Sequence, residues 1–271
     1  MTTYAFPPGG HPDQSEDPDR RAIFTESFAV IPRDTMRDIV TSFLPGWDNA
    51  RMWVLARPMT GFSESFSWYA MEVGPDGGSD TPDTDRTAQS VFLVTDGTAM
   101  LTIAGATHAL TTGSYAYIPS GTPWSLWAGK DGAKFHWVRK RYVAADGLDR
   151  PTAFVTSDVQ NAPIEMPGTD RAWATTRFVD PTDLRHDMHV NIVTLKPGAS
   201  IPFMETHVME HGLYVLQGQG TYYLNQTDVE VEAGDFMWLR AFCPQSCVAH
   251  GDEPFRYLLY KDVNRHMPLG L

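Results

Sequence analysis

Apolar and polar residues alternate with period two along most of this chain, in runs that break at glycine and proline. SVFLVTDGTAMLTIAG, SYAYIPSGTPWSLWAG, VNIVTLKPG, LYVLQGQGTYYLNQ and FMWLRAF all read as strands, because side chains on a pleated strand point alternately to its two faces. A 3.6-residue period is scarce, and only Asp34–Phe43 suggests a helix. Short strands set between turn residues predict an all-β chain folded as a sandwich or barrel.

The pattern then repeats. Gly97 follows FLVTD as Gly218 follows LYVLQ, Gly113 precedes SYAYIP as Gly234 precedes DFMWLR, and Gly77 matches Gly198, each pair 121 residues apart. One such match would reflect only the need of turns for glycine. Three in one register predict two β-domains of the same fold in tandem. AADGLDRPT and NAPIEMPGTD supply linker composition near residues 145–170. The expected division is a loose arm over 1–20, rich in Pro, Gly and Asp, a first domain over 21–150 and a second over 151–271.

The 271 residues have room for two such domains. A net charge of −12 argues against nucleic acid or an anionic membrane as partner, since phosphates need a basic face. MTTYAFPPGGHPDQSEDPDRR has no basic stretch leading into an apolar one, so no secretory signal is expected. No apolar run approaches the roughly 20 residues that span a bilayer. Cys243 and Cys247 stand too close to build a disulfide framework and read as free thiols of a reducing compartment. A soluble, cytoplasmic protein is the expectation.

Candidate chemistry concentrates in ETHVMEHG, residues 205–212, where His207 to His211 spells the H-x-x-E-H of inverted zinc peptidases. That motif works on a helix, whereas the flanking VNIVTLKPG and GLYVLQGQGTYYL are strand-like. On an extended chain Glu205, His207 and His211 share a face, while Glu210, the would-be peptidase base, points the other way. On a helix Glu205 and His207 would diverge by about 200°. The strand reading is preferred.

Glu205-x-His207-x3-His211-x6-Gly218 resembles the first motif of the cupin family, with its ligand types permuted. In the second cupin motif, counted from Gly234, the ligand position holds Gln245. The implied metal site is therefore Glu205, His207, His211 and Gln245, on one of two small jelly-roll barrels. The same spacing in the first half places Thr84, Arg86, Ser90 and Trp124 at the four positions. No metal site is made of these, so the N-terminal barrel is expected to be metal-free, with Trp124 filling the space of an ion.

VNIVTLKPGASIPFMETHVMEHGLYVLQGQGTYYLN, VEAGDFMWLRAFCPQSC and FRYLLYKDVNRHM resemble the bicupin (S)-ureidoglycine aminohydrolase family, and MRDIVTSFLPGW and VLARPMTGFSESFS extend the likeness into the first half. The resemblance implies manganese on a Glu-His-His-Gln set and a reaction of purine and allantoin catabolism, in which the α-amino group of ureidoglycine is exchanged for hydroxyl with release of ammonia. It also implies a homo-oligomer, and it places Tyr257 and Lys261 at the substrate. The ligand set by itself is equally compatible with Fe²⁺ or Zn²⁺. An iron-dependent cupin dioxygenase acting on a small organic acid is the alternative that these ligands leave open.

In FRYLLYKDV, Phe255, Tyr257, Leu259 and Lys261 share one face, and Arg256, Leu258, Tyr260 and Asp262 the other. A lysine on the apolar face needs an anion, which makes Lys261 a candidate for anchoring a substrate carboxylate or carrying a proton. The alternative is a rim lysine with its head in water. Tyr222 is a further substrate-side candidate, although alternate aromatics in a strand are ordinarily core. Met209 has the parity of the two His and either lines the pocket or belongs to the barrel wall. His186 and His189 fall on opposite strand faces and read as structural. Cys243 and Cys247 share the parity of Gln245 and are expected at the border of the pocket.

Overall fold

The computed structural model describes residues 3–11, 21–37, 41–42, 44–59 and 61–262. Two eight-stranded antiparallel sheets and one three-stranded sheet hold nearly all of the regular structure. The first large sheet runs in the order Phe154–Ser157, Ser114–Ile118, Ala88–Ile103, Trp124–Arg141, Phe66–Ser79, Asp48–Ala56 and Thr41–Ser42, with Ala106–Thr111 folded back on Ala88–Ile103. The second runs Ile23–Phe24, Phe28–Ile31, Phe236–Leu239, His211–Gln217, Phe255–Asp262, Met188–Leu195, Trp173–Thr176 and Ile164–Glu165. Gln219–Leu224 sits between Thr227–Glu232 and Gln245–His250 and closes the C-terminal barrel.

The repeat is visible in the strand register. Ser90 pairs with Ile118 as His211 pairs with Leu239, and Ile103 pairs with Trp124 as Leu224 pairs with Gln245. Gly97 and Gly218 share a left-handed φ of +74° and +77°, where a Cβ would meet the backbone carbonyl of Gly132 or Pro254. The third glycine pair does not share this property. Gly198 has φ +70°, whereas Gly77 does not lie in the left-handed region and packs against Asp48.

Alternation along the strands sorts side chains into three cores. Trp47, Phe92, Phe135 and Trp137 fill the N-terminal barrel, and Val193, Leu213, Tyr222 and Tyr257 fill the C-terminal one. The third core lies between the barrels, where Trp53, Trp68 and Tyr117 of one meet Tyr214, Trp238 and Tyr260 of the other. Each barrel thus has one sheet that is apolar on both faces, which explains why Phe236–Leu239 is buried at every position. The final strand follows the predicted parity: Phe255 and Tyr257 enter the barrel core, Leu258 and Tyr260 the seam.

Three expectations are corrected. Residues 23–31, expected in the first domain, pair with the second barrel through Phe28–Ile31 on Phe236–Leu239. Phe28 and Val30 enter the C-terminal core while Ala29 faces the seam. In the opposite sense, Phe154–Ser157, expected in the second domain, extends the sheet of the first. The described part of the N-terminal arm is not loose either. Tyr4 is buried and donates a hydrogen bond to Asp158, the Ala5 amide donates to the Leu216 carbonyl, and Phe6 packs edge-on against Trp53. Finally, the helix suggested at Asp34–Phe43 is a single 3-10 turn at Arg33–Thr35 and a short strand at Thr41–Ser42. Positions 38–40 and 43 of that stretch, and 12–20 of the arm, lie outside the described residues. Among the described residues no helix is long and apolar enough to cross a membrane.

Candidate functional site

Glu205 and Gln245 form an isolated antiparallel bridge, each amide donating to the other's carbonyl at 2.9 Å. The bridge fixes two of the four proposed ligands at the mouth of the C-terminal barrel. His207 follows in an irregular stretch, pinned by the Phe242 amide on its carbonyl at 2.7 Å. Its Nε2 lies 3.5 Å from Glu205 Oε1, and its ring is 4.7 Å from that of His211. His211 opens the strand His211–Gln217 and is 3 % exposed. Burial pulls its pKa down to about 3, with His207 and Lys261 pushing the same way, so its imidazole is neutral with a free lone pair.

All four residues line one pocket of about 150 Å³, together with Thr175, Arg177, Asn191, Tyr257 and Lys261 and with apolar walls including Trp173, Leu213 and Leu259. Among the described residues no three His, Cys, Asp or Glu side chains stand close enough together, as they are placed, to hold a metal ion. Donors on one ion, each about 2.1 Å from it, sit roughly 3 Å apart at right angles and roughly 3.4 Å apart in a tetrahedron, and Glu205 Oε1 and His207 Nε2 stand 3.5 Å apart. The fit lies in donor type and placement: a carboxylate, two imidazoles and an amide oxygen on one pocket wall suit a divalent ion of intermediate hardness.

The N-terminal counterpart is built from other side chains. Ser90 accepts a hydrogen bond from Trp137 Nε1 at 3.0 Å, and the Trp124 ring stands 5.0 Å from Phe92 and 5.5 Å from Trp137. An aromatic plug occupies what in the other barrel is the pocket. Larger clefts of about 630 and 590 Å³ lie on the N-terminal half, but their linings bring together no comparable set of ligands and charges.

Lys261 is half-buried in the pocket. Burial and then Arg177 lower its pKa, while Glu205 opposes them. Tyr257 is buried at the pocket wall, and desolvation holds its phenol far above the usual range, so it stays protonated. Tyr222 stands behind Tyr257, ring centroids 5.9 Å apart, in the core and off the pocket wall. Met209 departs further from expectation. The chain bends at Val208–Met209, which breaks the strand alternation, and Met209 lines a separate cleft of about 330 Å³ with Glu64, Ser65 and Asp262. Cys243 and Cys247 are buried in the barrel core rather than at the pocket, and burial pushes their thiols up to about 11 and 12.

Sequence reasoning missed Arg177 and Asn191. Arg177 continues the parity of Trp173 and Thr175 one position past the strand Trp173–Thr176, and Asn191 shares that of Val193, so both were open to the same reading as Lys261. His189 reads as structural in the sequence. It pairs with Lys261 across the strands, and burial, reinforced by Lys261, lowers its pKa to about 4. His186 instead turns to the seam, its ring 4.8 Å from that of Tyr117.

Residues 69–139 and 191–260 match the cupin domain family, one match in each barrel. An Arabidopsis thaliana relative named (S)-ureidoglycine aminohydrolase is 30% identical over 246 residues, 91% of this chain and 79% of its own. A relative of the same name from Escherichia coli K12 is 29% identical over 245 residues, 90% of this chain and 91% of its own. The crystal structure of a Pseudomonas aeruginosa protein, provisionally named glyoxylate-induced, superposes with a TM-score of 0.92 at 56% identity and covers all of both chains.

Proposed function

The chain belongs to the cupin family, and on that footing we propose that its C-terminal barrel is a metal-dependent (S)-ureidoglycine aminohydrolase. Ureidoglycine and water give (S)-ureidoglycolate and ammonia, the α-carbon exchanging its amino group for hydroxyl. The observation that carries the reading is the meeting of Glu205, His207, His211 and Gln245 with Lys261 and Tyr257 on one pocket, in a chain whose relatives bear that enzyme's name.

Glu205, His207, His211 and Gln245 would hold the ion, with manganese as the proposed metal. When bound it supplies Lewis acidity toward the substrate carboxylate and water. A neutral amide as fourth ligand leaves more net positive charge in the site than a second carboxylate would, which favours an anionic substrate. Arg177, always charged and able to make a paired contact, anchors the carboxylate. Lys261, with its pKa drawn down, exchanges a proton with the departing amine or the incoming water. The protonated phenol of Tyr257 donates a hydrogen bond. Asn191 and Thr175 offer amide and hydroxyl groups to the ureido end, and Leu213 and Leu259 limit the water in the pocket. Attachment at the carboxylate, the ureido group and the reacting carbon fixes one face of the substrate, which is what a single enantiomer requires.

The reading extends to a soluble cytoplasmic homo-oligomer. The exposed Phe203, Met204, Val208 and Phe242, in the segments that flank Glu205, His207 and Gln245, support self-association. Metal titration tests the core of the proposal. Stripped protein should lose catalysis and regain it with about one equivalent of Mn²⁺ per chain. Full activity in the stripped protein would refute the metal-dependent assignment.

A further inference from the structure

The N-terminal barrel contributes none of the four proposed ligands, yet it lies directly behind the strand that carries His211. Glu210, next to His211, points away from the pocket and is held by four donors. Three come from the N-terminal barrel, the Ser65 amide at 2.6 Å, Ser65 Oγ at 2.5 Å and the Glu64 amide at 3.1 Å, and the fourth is Trp238 Nε1 at 2.9 Å. The same Ser65 Oγ lies 3.1 Å from the hydroxyl of Tyr260, the neighbour of Lys261. One serine therefore touches the residues that precede both His211 and Lys261, two positions that pair with each other in register.

The packing around this contact is close. A Cβ on Gly212 would come within 2.8 Å of the Phe66 ring and 3.0 Å of Trp68. Phe66 also stacks on Tyr260 with centroids 4.0 Å apart. The loop that presents Ser65 is itself braced, Ser63 Oγ donating to the Phe66 carbonyl at 2.7 Å and the Gly61 amide to Glu64 Oε1 at 3.1 Å. A carboxylate with four donors and a glycine that admits two aromatic rings fix the strand from its rear.

We infer that the N-terminal barrel is a positioning device for the metal site, acting through Ser65 and Glu210 on the placement of His211 and Lys261. The inference rests on the proposed ligand set but not on the proposed substrate. Outer partners that orient ligands alter metal affinity by roughly 10–100-fold when removed, whereas an ordinary interface contact changes only stability.

The test uses the full chain with Ser65→Ala and Glu210→Gln, and Tyr117→Phe as a control that removes a different seam contact, the hydrogen bond from Tyr117 to Gln89 at 2.9 Å. Mn²⁺ affinity is measured by titrating stripped protein, alongside Tm. The expected result is a Mn²⁺ dissociation constant raised roughly 10-fold or more in the first two variants and unchanged in the control. Unchanged Mn²⁺ affinity in both, with Tm lowered as in the control, would overturn the inference. If the wild type binds Mn²⁺ but does not convert ureidoglycine, the substrate reading fails and this one is still decided by the affinities. A wild type that binds no Mn²⁺ overturns both.

Discussion

Lys261 stands between two imidazoles in strand register, opposite His211 on one side and His189 on the other. All three point into the barrel, and burial keeps both histidines neutral near pH 7. Among the described residues the Lys261 ammonium has no hydrogen bond or ion pair, and Glu205 is the opposing charge that acts on it. A half-buried cation without a partner carries a desolvation cost that structure alone does not repay. Replacing Lys261 with Met should therefore lower kcat by about 10²–10⁴-fold, the usual range for a proton-transfer group, without lowering Tm. Near-normal turnover in Lys261→Met would make it a rim lysine after all.

Arg177 is assigned to the substrate carboxylate, a contact present in ground and transition states alike. Arg177→Ala should raise KM by roughly 10–100-fold and leave kcat within a few-fold. Arg177→Lys should restore only part of the loss, because an ammonium cannot make the paired contact. A drop in kcat with KM unchanged would move Arg177 from binding to chemistry.

The aromatic plug of the N-terminal barrel makes a different prediction. Trp124 fills the fourth-ligand position and touches Trp47, Phe92 and Trp137. Being partly exposed, it should cost at most about 3–5 kcal/mol on truncation to Ala, seen as a lower urea midpoint. Metal content by elemental analysis should stay at one ion per chain in Trp124→Ala. Trp124→His should not add a second ion either, because Ser90 is engaged with Trp137 and Arg86 is cationic.

Acid should loosen the seam between the barrels through His136. Its Nδ1 accepts the Trp68 indole hydrogen bond at 3.1 Å, and complete burial drives its pKa to about 3, against 6.5 in the open chain. The folded-state pKa is depressed, so unfolding takes up a proton between these values. Its contribution is intact above pH 6.5 and lost as pH falls toward 3, at up to about 1.4 kcal/mol per pH unit. His189 and His211 act with the same sign. Urea unfolding of His136→Gln from pH 7 to 4 should show a slope smaller by nearly one proton. An unchanged slope would place the acid sensitivity elsewhere.

Local pattern made much of this molecule legible. Glycine register pointed to the two barrels, motif spacing singled out Glu205, His207, His211 and Gln245, which line one pocket, and alternation sorted the faces of Phe255–Asp262. What stayed hidden depends on contacts far apart in sequence. Phe28–Ile31 is a strand whichever barrel it joins, and only its fit against Phe236–Leu239 decides. Met209 left the pocket because a bend at 208–209 interrupts a period that holds only while the chain stays extended. Glu210 lines a different cleft from Glu205, His207 and His211, as its opposite parity implies, but nothing in its neighbourhood announced a serine 145 positions earlier as its partner.

The most direct test of the account is the handedness of the product. Ureidoglycine, an aminal, loses ammonia unaided, so ammonia release alone is a poor signal. Freshly prepared substrate should be given to manganese-loaded protein, to stripped protein and to a Glu205→Ala variant, with the ureidoglycolate resolved on a chiral column. The loaded protein should give (S)-ureidoglycolate in clear excess, and the other two racemic product at the background rate. Racemic product from the loaded wild type would contradict the assigned reaction and bring forward an oxygen-dependent reaction at the same ligands.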